Sequence, residues 1–323
     1  MRFLSIVISV LVSLDIAARE VVFAQEAAAT SYSGVANSIS SSAPIAACDK
    51  PGGMGLSRVV EIDTTGGPAF GFEHFKQHDF LRDKEVVLTF DDGPWPENTP
   101  AVLKALDDNC LKATFFEIGK HAMWHPQITR QVIEAGHSVG THTWSHKHLA
   151  RNPYASDLEK AKQEIEMGNS AVRIAAAGTP VSPFLRFPYL QYSPPLLAYL
   201  GERNLATFSA DVDSFDFRMN KPEQVIKSVM ATLEKRGKGI ILMHDFHRAT
   251  AQAMPELISQ LSAGGYKVVH LVPRQALTTL PKYDEIVSHE GKLFSNNNAF
   301  GKGTCERTEP ARTRSKSILR FQP

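Results

Sequence analysis

Short apolar runs alternate with longer amphipathic runs between residues 86 and 271, and this alternation restricts the fold more than any other feature. The short runs have the length and the β-branched and aromatic content of buried strands. The longer runs between them have the helical period. Strands that alternate with helices form a parallel sheet, either open or closed into a barrel. Seven apolar runs favour an α/β fold with a distorted (β/α)7 barrel.

The alternation also predicts where the chemistry lies. The predicted strands are residues 86–90, 113–118, 138–143, 183–187, 206–211, 239–244 and 266–271. The predicted helices are residues 99–110, 126–135, 156–177, 222–236 and 251–263. Active sites of βα barrels form on the loops that follow the C-terminal ends of the strands. We therefore expect functional side chains directly after the predicted strands.

Composition excludes some classes of function. The chain has 323 residues, of which 43% are hydrophobic, and a formal net charge of +1. Such a chain can bury a large core, but it has no global basic field to hold nucleic acid or an anionic membrane. We expect no nucleic-acid partner and one catalytic domain with extensions. Composition does not determine the oligomeric state.

The two ends of the chain differ from its middle. Residues 1–24 resemble a secretory signal peptide, which predicts export to the periplasm or the exterior and no membrane insertion after cleavage. An uncleaved anchor is the alternative. Four further segments are predicted: a flexible Ala/Ser-rich lead-in at 25–47, an N-terminal extension packing on the barrel at 48–83, the catalytic domain at 84–283, and a polar basic tail without helical or strand period at 284–323.

The three cysteines are too few and too far apart for a thiolate zinc site. In an oxidising compartment Cys48 and Cys305 could pair and tie the two extensions together. The sequence does not give the geometry that such a bond requires. Cys110 lies beside an apolar helical pattern and is predicted to be a core residue.

Polar side chains follow five of the predicted strands. They are Asp91 and Asp92 after the first, His142 and His146 after the third, Arg186 at the end of the fourth, Asp213 and Asp216 after the fifth, and His244 at the end of the sixth. The two adjacent aspartates could form an ordinary turn that caps a helix. Alternatively, one could bind a metal ion while the other accepts a proton from water.

The remaining candidates also have two interpretations. His142 and His146 are four residues apart and could bind one ion, but a single pair is a weak signal among twelve histidines. A carboxylate from another strand end would complete a set that leaves coordination positions open for water and substrate. The ring of His244 could simply form a hydrogen bond with the backbone, or it could act as a general acid. Arg186 could form a surface ion pair or orient one aspartate.

In their order, these residues resemble the five motifs of the polysaccharide deacetylases of carbohydrate esterase family four, whose domain is named after the nodulation chitooligosaccharide deacetylase. The motifs lie at residues 89–93, 142–146, 186–189, 213–217 and 242–244. The resemblance covers about residues 84–273 and implies a distorted seven-fold (β/α) barrel. It also implies metal-dependent removal of N-acetyl groups from N-acetylglucosamine units of peptidoglycan, chitin oligosaccharides or poly-N-acetylglucosamine.

The resemblance implies a role for each matching residue. Asp92, His142 and His146 would bind a divalent metal, commonly zinc, with cobalt and manganese as alternatives. Asp91 would be the general base oriented by Arg186, and His244 the general acid tuned by Asp216. The backbone N–H of Tyr189 would help to stabilise the oxyanion, and Leu242, Phe217 and Pro188 would contact the substrate. Phe217 departs from the family pattern, which usually has Trp there; it keeps an apolar wall but lacks the indole N–H, which affects the fit of the substrate more than the chemistry.

Two other functions stay open at this point. The same metal site would attack an ester, so an O-acetyl xylan esterase is the enzymatic alternative, and release of an amine rather than an alcohol separates the two. A catalytically silent barrel that binds glycans is the alternative from another class. The complete set of base, ligands, arginine and acid in the sequence argues against a silent barrel.

Overall fold

The computed structural model describes residues 39–41 and 47–299. The predicted signal peptide, nearly all of the predicted lead-in, and Cys305 lie outside the described residues. Within them the strands are β1 (Ile39–Ser41), β2 (Leu56–Ile62), β3 (Ala69–Phe70), β4 (Glu85–Asp91), β5 (Thr114–Glu117), β6 (Ser138–Thr141), β7 (Phe184–Leu185), β8 (Ala206–Phe208), β9 (Val212–Asp213), β10 (Gly239–His244) and β11 (Lys267–Pro273). The α-helices are α1 (Asn98–Asp108), α2 (Gly119–Trp124), α3 (Pro126–Glu134), α4 (Leu158–Ala175), α5 (Pro194–Glu202), α6 (Pro222–Arg236), α7 (Arg248–Ala263) and α8 (Pro281–Ala299).

Parallel pairing builds a barrel-like sheet whose two ends, β8 and β9, are joined through the chain. From β4 the pairing runs through β5, β6 and β7 to β8. The same stretch of chain continues into β9, which pairs with β10, and β10 pairs with β4 along its whole length. β11 pairs with the first two residues of β4. The predicted barrel is therefore confirmed, and it is distorted because several of its strands are only two or three residues long.

Strand alternation separates the interior of the barrel from the layer under the helices. Along β4, Val87 packs with one cluster of buried side chains, and Val86, Leu88 and Phe90 pack with the cluster under the helices. Residues two apart share a face of a strand. The face that begins with Val87 therefore continues through Thr89 to Asp91, and leads from the apolar core to the C-terminal rim.

The N-terminal extension is part of the sheet. β2 pairs in parallel with β11, and β3 pairs in parallel with β8. Val60, Ile62 and Phe70 from these two strands are fully buried in the interior cluster. The extension thus closes one end of the core and leads the chain back towards the rim.

The pairing of Cys48 with Cys305 is wrong, because Cys48 forms a disulfide with Cys110. The Gly55 N–H donates to the Asn109 carbonyl at 2.9 Å, which fixes the start of the extension against the end of α1. Cys110 is half-buried at that end and has a positive φ of 53°, so it is not a core residue. The two cysteines are 62 residues apart in sequence, and the segments that carry them meet beside the hydrogen bond between Gly55 and Asn109.

The expectation of an irregular tail beyond residue 284 is wrong as far as Ala299, where α8 ends. Tyr283 and Val287 of α8 pack against Trp144 and Met167. Most residues of this segment are polar, so its few apolar residues, although spaced as on one face of a helix, did not indicate a helix. Sequence patterns also did not indicate α2 or α5. In the part of the chain that the structure describes, no helix combines the length and the apolar character needed to cross a membrane.

Candidate active site

The barrel brings the predicted site residues to one rim. Asp91 ends β4, and His244 ends β10 as its direct partner in the sheet register. His142 follows β6, and Arg186 follows β7. Because the strands are parallel, their C-terminal ends open on the same side of the barrel.

Three side chains converge on a point where a metal ion fits. The ligand atoms of Asp92, His142 and His146 all lie within 4.8 Å of one another. Asp92 Oδ1 is 3.6 Å from His142 Nε2 and 3.4 Å from His146 Nε2. This oxygen is buried and has no hydrogen-bond partner. A buried carboxylate oxygen without a partner is costly, and a cation between it and the two imidazoles would satisfy it.

The protonation states of these groups suit cation binding. His142 Nδ1 lies 2.7 Å from the Arg186 carbonyl, and a hydrogen bond donated there leaves Nε2 as an acceptor facing Asp92. Burial lowers the pKa of His142 and of His146 to about 3, so both rings are neutral. Burial raises the pKa of Asp92 to about 7, and a bound divalent cation would lower it.

The backbone is strained where these ligands emerge. Asp92, Thr143, His146 and Tyr189 have φ values of 72°, 67°, 54° and 60°. Left-handed conformations of residues other than glycine cost about 1–3 kcal/mol each and persist only where the surrounding structure enforces them. Gly93 follows Asp92, and an added Cβ there would lie 2.4 Å from Asp245 Oδ2, so only glycine fits.

A fully buried arginine orients Asp91. Arg186 Nη1 donates to Asp91 Oδ1 and to Thr89 Oγ1, both at 2.7 Å. Its remaining donors reach the carbonyls of Phe208 and Ser209, at 3.2 Å and 2.9 Å. Burial raises the pKa of Asp91, and the guanidinium opposes that rise. The second oxygen, Oδ2, lies 3.9 Å from His142 Nε2 and therefore faces the metal-ligand cluster.

His244 and Asp216 form the opposite side of the site. His244 Nδ1 lies 2.6 Å from Asp216 Oδ1. Asp216 Oδ2 accepts from the His244 backbone N–H at 2.7 Å and from Thr250 Oγ1 at 2.5 Å. Burial disfavours the charged ring, but the hydrogen bond and charge of Asp216 raise the pKa of His244 to about 9. His244 Nε2 is 4.0 Å from Asp92 Oδ2, across the site.

A cleft of about 450 Å³ joins these groups. Asp91, Asp92, His142, His146, Tyr189, Phe217, Leu242 and His244 line it. Arg186 and Asp216 are completely buried behind this layer. Pro188, predicted to contact substrate, is also buried and is not among the lining residues, because it begins the short 3-10 turn that positions Tyr189.

Comparison with known proteins determines the family. The profile described as polysaccharide deacetylase matches residues 79–207. The chitooligosaccharide deacetylase of Sinorhizobium fredii is 31% identical over 220 residues, which cover 62% of this chain and 99% of that protein. The chain belongs to the polysaccharide deacetylase family.

Two other deacetylases show how far the similarity extends. The peptidoglycan-N-acetylglucosamine deacetylase PgdA of Listeria monocytogenes is 31% identical over 186 residues, which cover 58% of this chain and 38% of the longer relative. The solved structure of a peptidoglycan deacetylase of Bdellovibrio bacteriovorus superposes with a TM-score of 0.61 at 30% identity, covering 73% of this chain and 64% of the other. The chain thus spans well under half the length of PgdA.

The structure also places residues in the cleft that the sequence patterns did not indicate. Glu73 and His74 of the extension line the cleft, and His74 Nδ1 lies 2.7 Å from Ser209 Oγ. No local pattern marks them, because their position depends on the pairing of β3 with β8. The place of Thr89 in the site could have been predicted from the sequence, because Thr89 lies two residues before Asp91 on the same face of β4.

Proposed function

We propose that this protein is a metal-dependent N-deacetylase that hydrolyses the acetamide of N-acetylglucosamine units in a glycan to acetate and a free amine. One observation carries the proposal: the oriented carboxylate of Asp91 and the cationic His244 both lie beside the cluster of Asp92, His142 and His146, with Asp91 Oδ2 3.9 Å from His142 Nε2 and His244 Nε2 4.0 Å from Asp92 Oδ2. A proton acceptor and a proton donor next to a metal site are what amide hydrolysis requires.

The metal would be held by Asp92, His142 and His146. Two imidazoles and one carboxylate match catalytic zinc sites, so we propose zinc, with cobalt and manganese as alternatives. When bound, the cation would supply Lewis-acid polarisation of the acetamide carbonyl and would lower the pKa of a water molecule.

Asp91 takes the proton of the attacking water. Its Oδ1 is fixed by Arg186 Nη1 at 2.7 Å, which leaves Oδ2 directed towards the cluster. The buried guanidinium favours the ionised carboxylate that a base needs. Thr89 Oγ1, which also accepts from Arg186, helps to hold this geometry.

The oxygen that becomes negative as the carbonyl is attacked needs a hydrogen-bond donor. The resemblance assigns this role to the backbone N–H of Tyr189, and the left-handed turn at Tyr189 and Leu190 determines the direction of the peptide planes there. Loss of one such donor typically lowers the rate by about 100- to 1000-fold.

His244 protonates the departing nitrogen. Because Asp216 raises the pKa of His244 to about 9, the ring carries its proton at neutral pH. The hydrogen bond from Nδ1 to Asp216 leaves the Nε2–H free to donate into the cleft. Leu242, buried at the base of the cleft, provides an apolar contact for the acetyl methyl group.

The substrate class follows from the relatives. Their names include peptidoglycan-N-acetylglucosamine deacetylases and chitooligosaccharide deacetylases, which share the N-acetylglucosamine unit. We extend that shared unit to this chain as its substrate. We also propose export, on the basis of residues 1–24, and the disulfide between Cys48 and Cys110 supports an oxidising compartment.

Acetate release from N-acetylglucosamine oligomers and from peptidoglycan tests the proposal. We expect the wild-type protein to release acetate, a chelator to abolish that release and added zinc to restore it. The Asp91→Asn variant should release no acetate. The control is Asp108→Asn, because Asp108 is an exposed aspartate on α1 that pairs with Lys104 of the same helix. Release that survives Asp91→Asn would contradict the assignment of the base. Hydrolysis of acetylated xylan without release of any amine would instead identify an O-acetyl esterase.

A further inference from the structure

The guanidinium that orients Asp91 is itself held by two backbone carbonyls at the end of β8. Arg186 Nε and Nη2 donate to the carbonyls of Phe208 and Ser209, at 3.2 Å and 2.9 Å. Nη1 of the same group donates to Asp91 Oδ1 at 2.7 Å. Because the guanidinium is a rigid planar fork, a shift of either carbonyl would turn the whole group and move the carboxylate of Asp91. The contacts that hold these carbonyls therefore bear on the reaction.

A segment of the N-terminal extension, residues 69–74, holds this backbone, and we call it the clamp. Its first two residues form β3, which pairs in parallel with β8. The Ser209 N–H donates to the Phe70 carbonyl at 2.7 Å, and the Glu73 N–H donates to the Ala210 carbonyl at 3.0 Å. The backbone on both sides of the Ser209 carbonyl is thus bonded to the clamp.

Two further residues of the clamp contact Ser209 directly. Gly71 has a φ of 100°, and an added Cβ there would lie 2.7 Å from the carbonyl carbon of Ser209. The ring nitrogen Nδ1 of His74 lies 2.7 Å from Ser209 Oγ, and Ser209 is only 2% exposed. A strand that merely covered the edge of β8 would need only the pairing of β3. The contacts of Gly71, Glu73 and His74 continue past that strand to the carbonyl that Arg186 uses.

We propose that the clamp is a positioning element for catalysis, which fixes the Ser209 carbonyl and thereby the direction of Arg186 and Asp91. This inference rests on the proposed function. The clamp lies before residue 79, where the match to the family profile begins, so the extension supports the base from outside the matched part of the chain. Misplacement of a reacting group by about 1 Å can lower a rate about 100-fold, so such support affects the chemical step.

Gly71→Ala tests the inference against a matched control. The added methyl group must push the clamp away from Ser209, so kcat for acetate release should fall about 10- to 100-fold. KM should change little, because the described residues that line the cleft do not include Gly71. The control is Gly66→Ala, since Gly66 also has a positive φ, of 75°, but an added Cβ there meets nothing within 4 Å. It carries similar backbone strain and should keep its kcat. Equal kcat values in the two variants would overturn the inference.

Removal of one side chain tests the same link without backbone strain. His74→Ala should lower kcat about three- to tenfold, and His74→Asn should recover most of it, because an amide can still bond to Ser209 Oγ. Ser209→Ala removes the other partner, so the double variant of His74→Ala and Ser209→Ala should be about as slow as either single variant. His78→Ala is the control in the same extension, because His78 packs on the ring of Phe70 instead. Additive losses, or no loss in either single variant, would overturn the inference.

The guanidinium itself separates this inference from the proposed activity. In protein with ¹⁵N-labelled arginine, NMR measures how fast the side-chain protons of Arg186 exchange with water when no substrate is present. We expect that exchange to accelerate about tenfold in Gly71→Ala and to stay unchanged in Gly66→Ala. This result without acetate release from any oligomer would support the clamp and contradict the proposed activity. Unchanged exchange in both variants would overturn the inference even if the wild type released acetate.

Discussion

Neighbouring carboxylates in this site have different surroundings. Asp91 is bonded to the guanidinium of Arg186, whereas Asp92 faces two neutral imidazoles and has an oxygen without a hydrogen-bond partner. Asp216 is buried as well, which by itself raises its pKa, but the hydrogen bonds from His244 and Thr250 and the charge of His244 together outweigh burial and lower that pKa. Opposed environments of this kind would let the proposed base, metal ligand and acid coexist in one site at the same pH.

The pH dependence of catalysis tests the pair of His244 and Asp216. The acid form of His244 persists up to its pKa of about 9, so kcat/KM should fall as the pH rises through that value. Asp216→Asn removes the charge that raises this pKa, and burial then favours the neutral ring. The alkaline limb should therefore move to lower pH. The measurement is the pH–rate profile of acetate release, and an alkaline limb that does not move would contradict this role.

Hydrogen bonds between elements connect the two sides of the site. The Trp95 N–H donates to Thr99 Oγ1 at 2.8 Å, and that hydroxyl donates to the carboxylate of Asp245. Asn98 Nδ2 donates to the carbonyl of Phe246 at 2.6 Å. The start of α1, next to the loop of Asp92, is thereby fixed to the segment directly after His244. These bonds join the two βα loops and thereby fix the spacing between Asp91, the proposed base, and His244, the proposed acid.

The disulfide should stabilise the chain without taking part in catalysis. Cys48 and Cys110 are 62 residues apart in sequence. A disulfide that closes a long loop lowers the conformational entropy of the unfolded chain and typically stabilises the folded state by about 2–4 kcal/mol. The double variant Cys48→Ala and Cys110→Ala should lose about that much free energy of unfolding in urea, with kcat unchanged at low temperature. Reductant should destabilise the wild type similarly and leave the variant unaffected. A fall in kcat for the folded variant would contradict a purely structural role.

At the scale of the whole molecule, the barrel brings together the proposed metal ligands from separate strands. Asp92 follows β4, and His142 and His146 follow β6, with β5 between them. The ligand atoms stay close because the surrounding core fixes the strand ends. The N-terminal extension contributes to the same core and supplies Glu73 and His74 to the cleft.

Cation binding should therefore depend on pH. Without a cation the pKa of Asp92 is about 7, so its carboxyl group is mostly protonated below pH 7. A carboxylate must be ionised to bind a cation, and binding below pH 7 therefore releases the proton of Asp92. Zinc affinity should rise about tenfold per pH unit up to about pH 7 and then level off. Calorimetric titration in two buffers of different ionisation enthalpy measures the released proton. His146→Gln should weaken binding at every pH, and an affinity independent of pH would contradict the expectation.

Most of the strand and helix pattern could be predicted from the sequence because its signals are local. Residues 239–244 and 222–236 were predicted with the bounds that β10 and α6 have. The fourth and fifth strands were predicted too long, because β7 and β8 end early at the turns beside the site. The helix that begins at Pro281 was not predicted, because its few apolar residues lie among many polar ones.

The sequence alone determined the class of fold, the order of the motifs and the chemistry available to Asp91, Asp92, His142, His146 and His244, because these follow from residue type and short-range spacing. Only the tertiary structure decided that Cys48 pairs with Cys110 and that Glu73 and His74 line the cleft. These features join segments far apart in the chain. Their contacts depend on which strands pair and on how the ring closes, which no local period specifies.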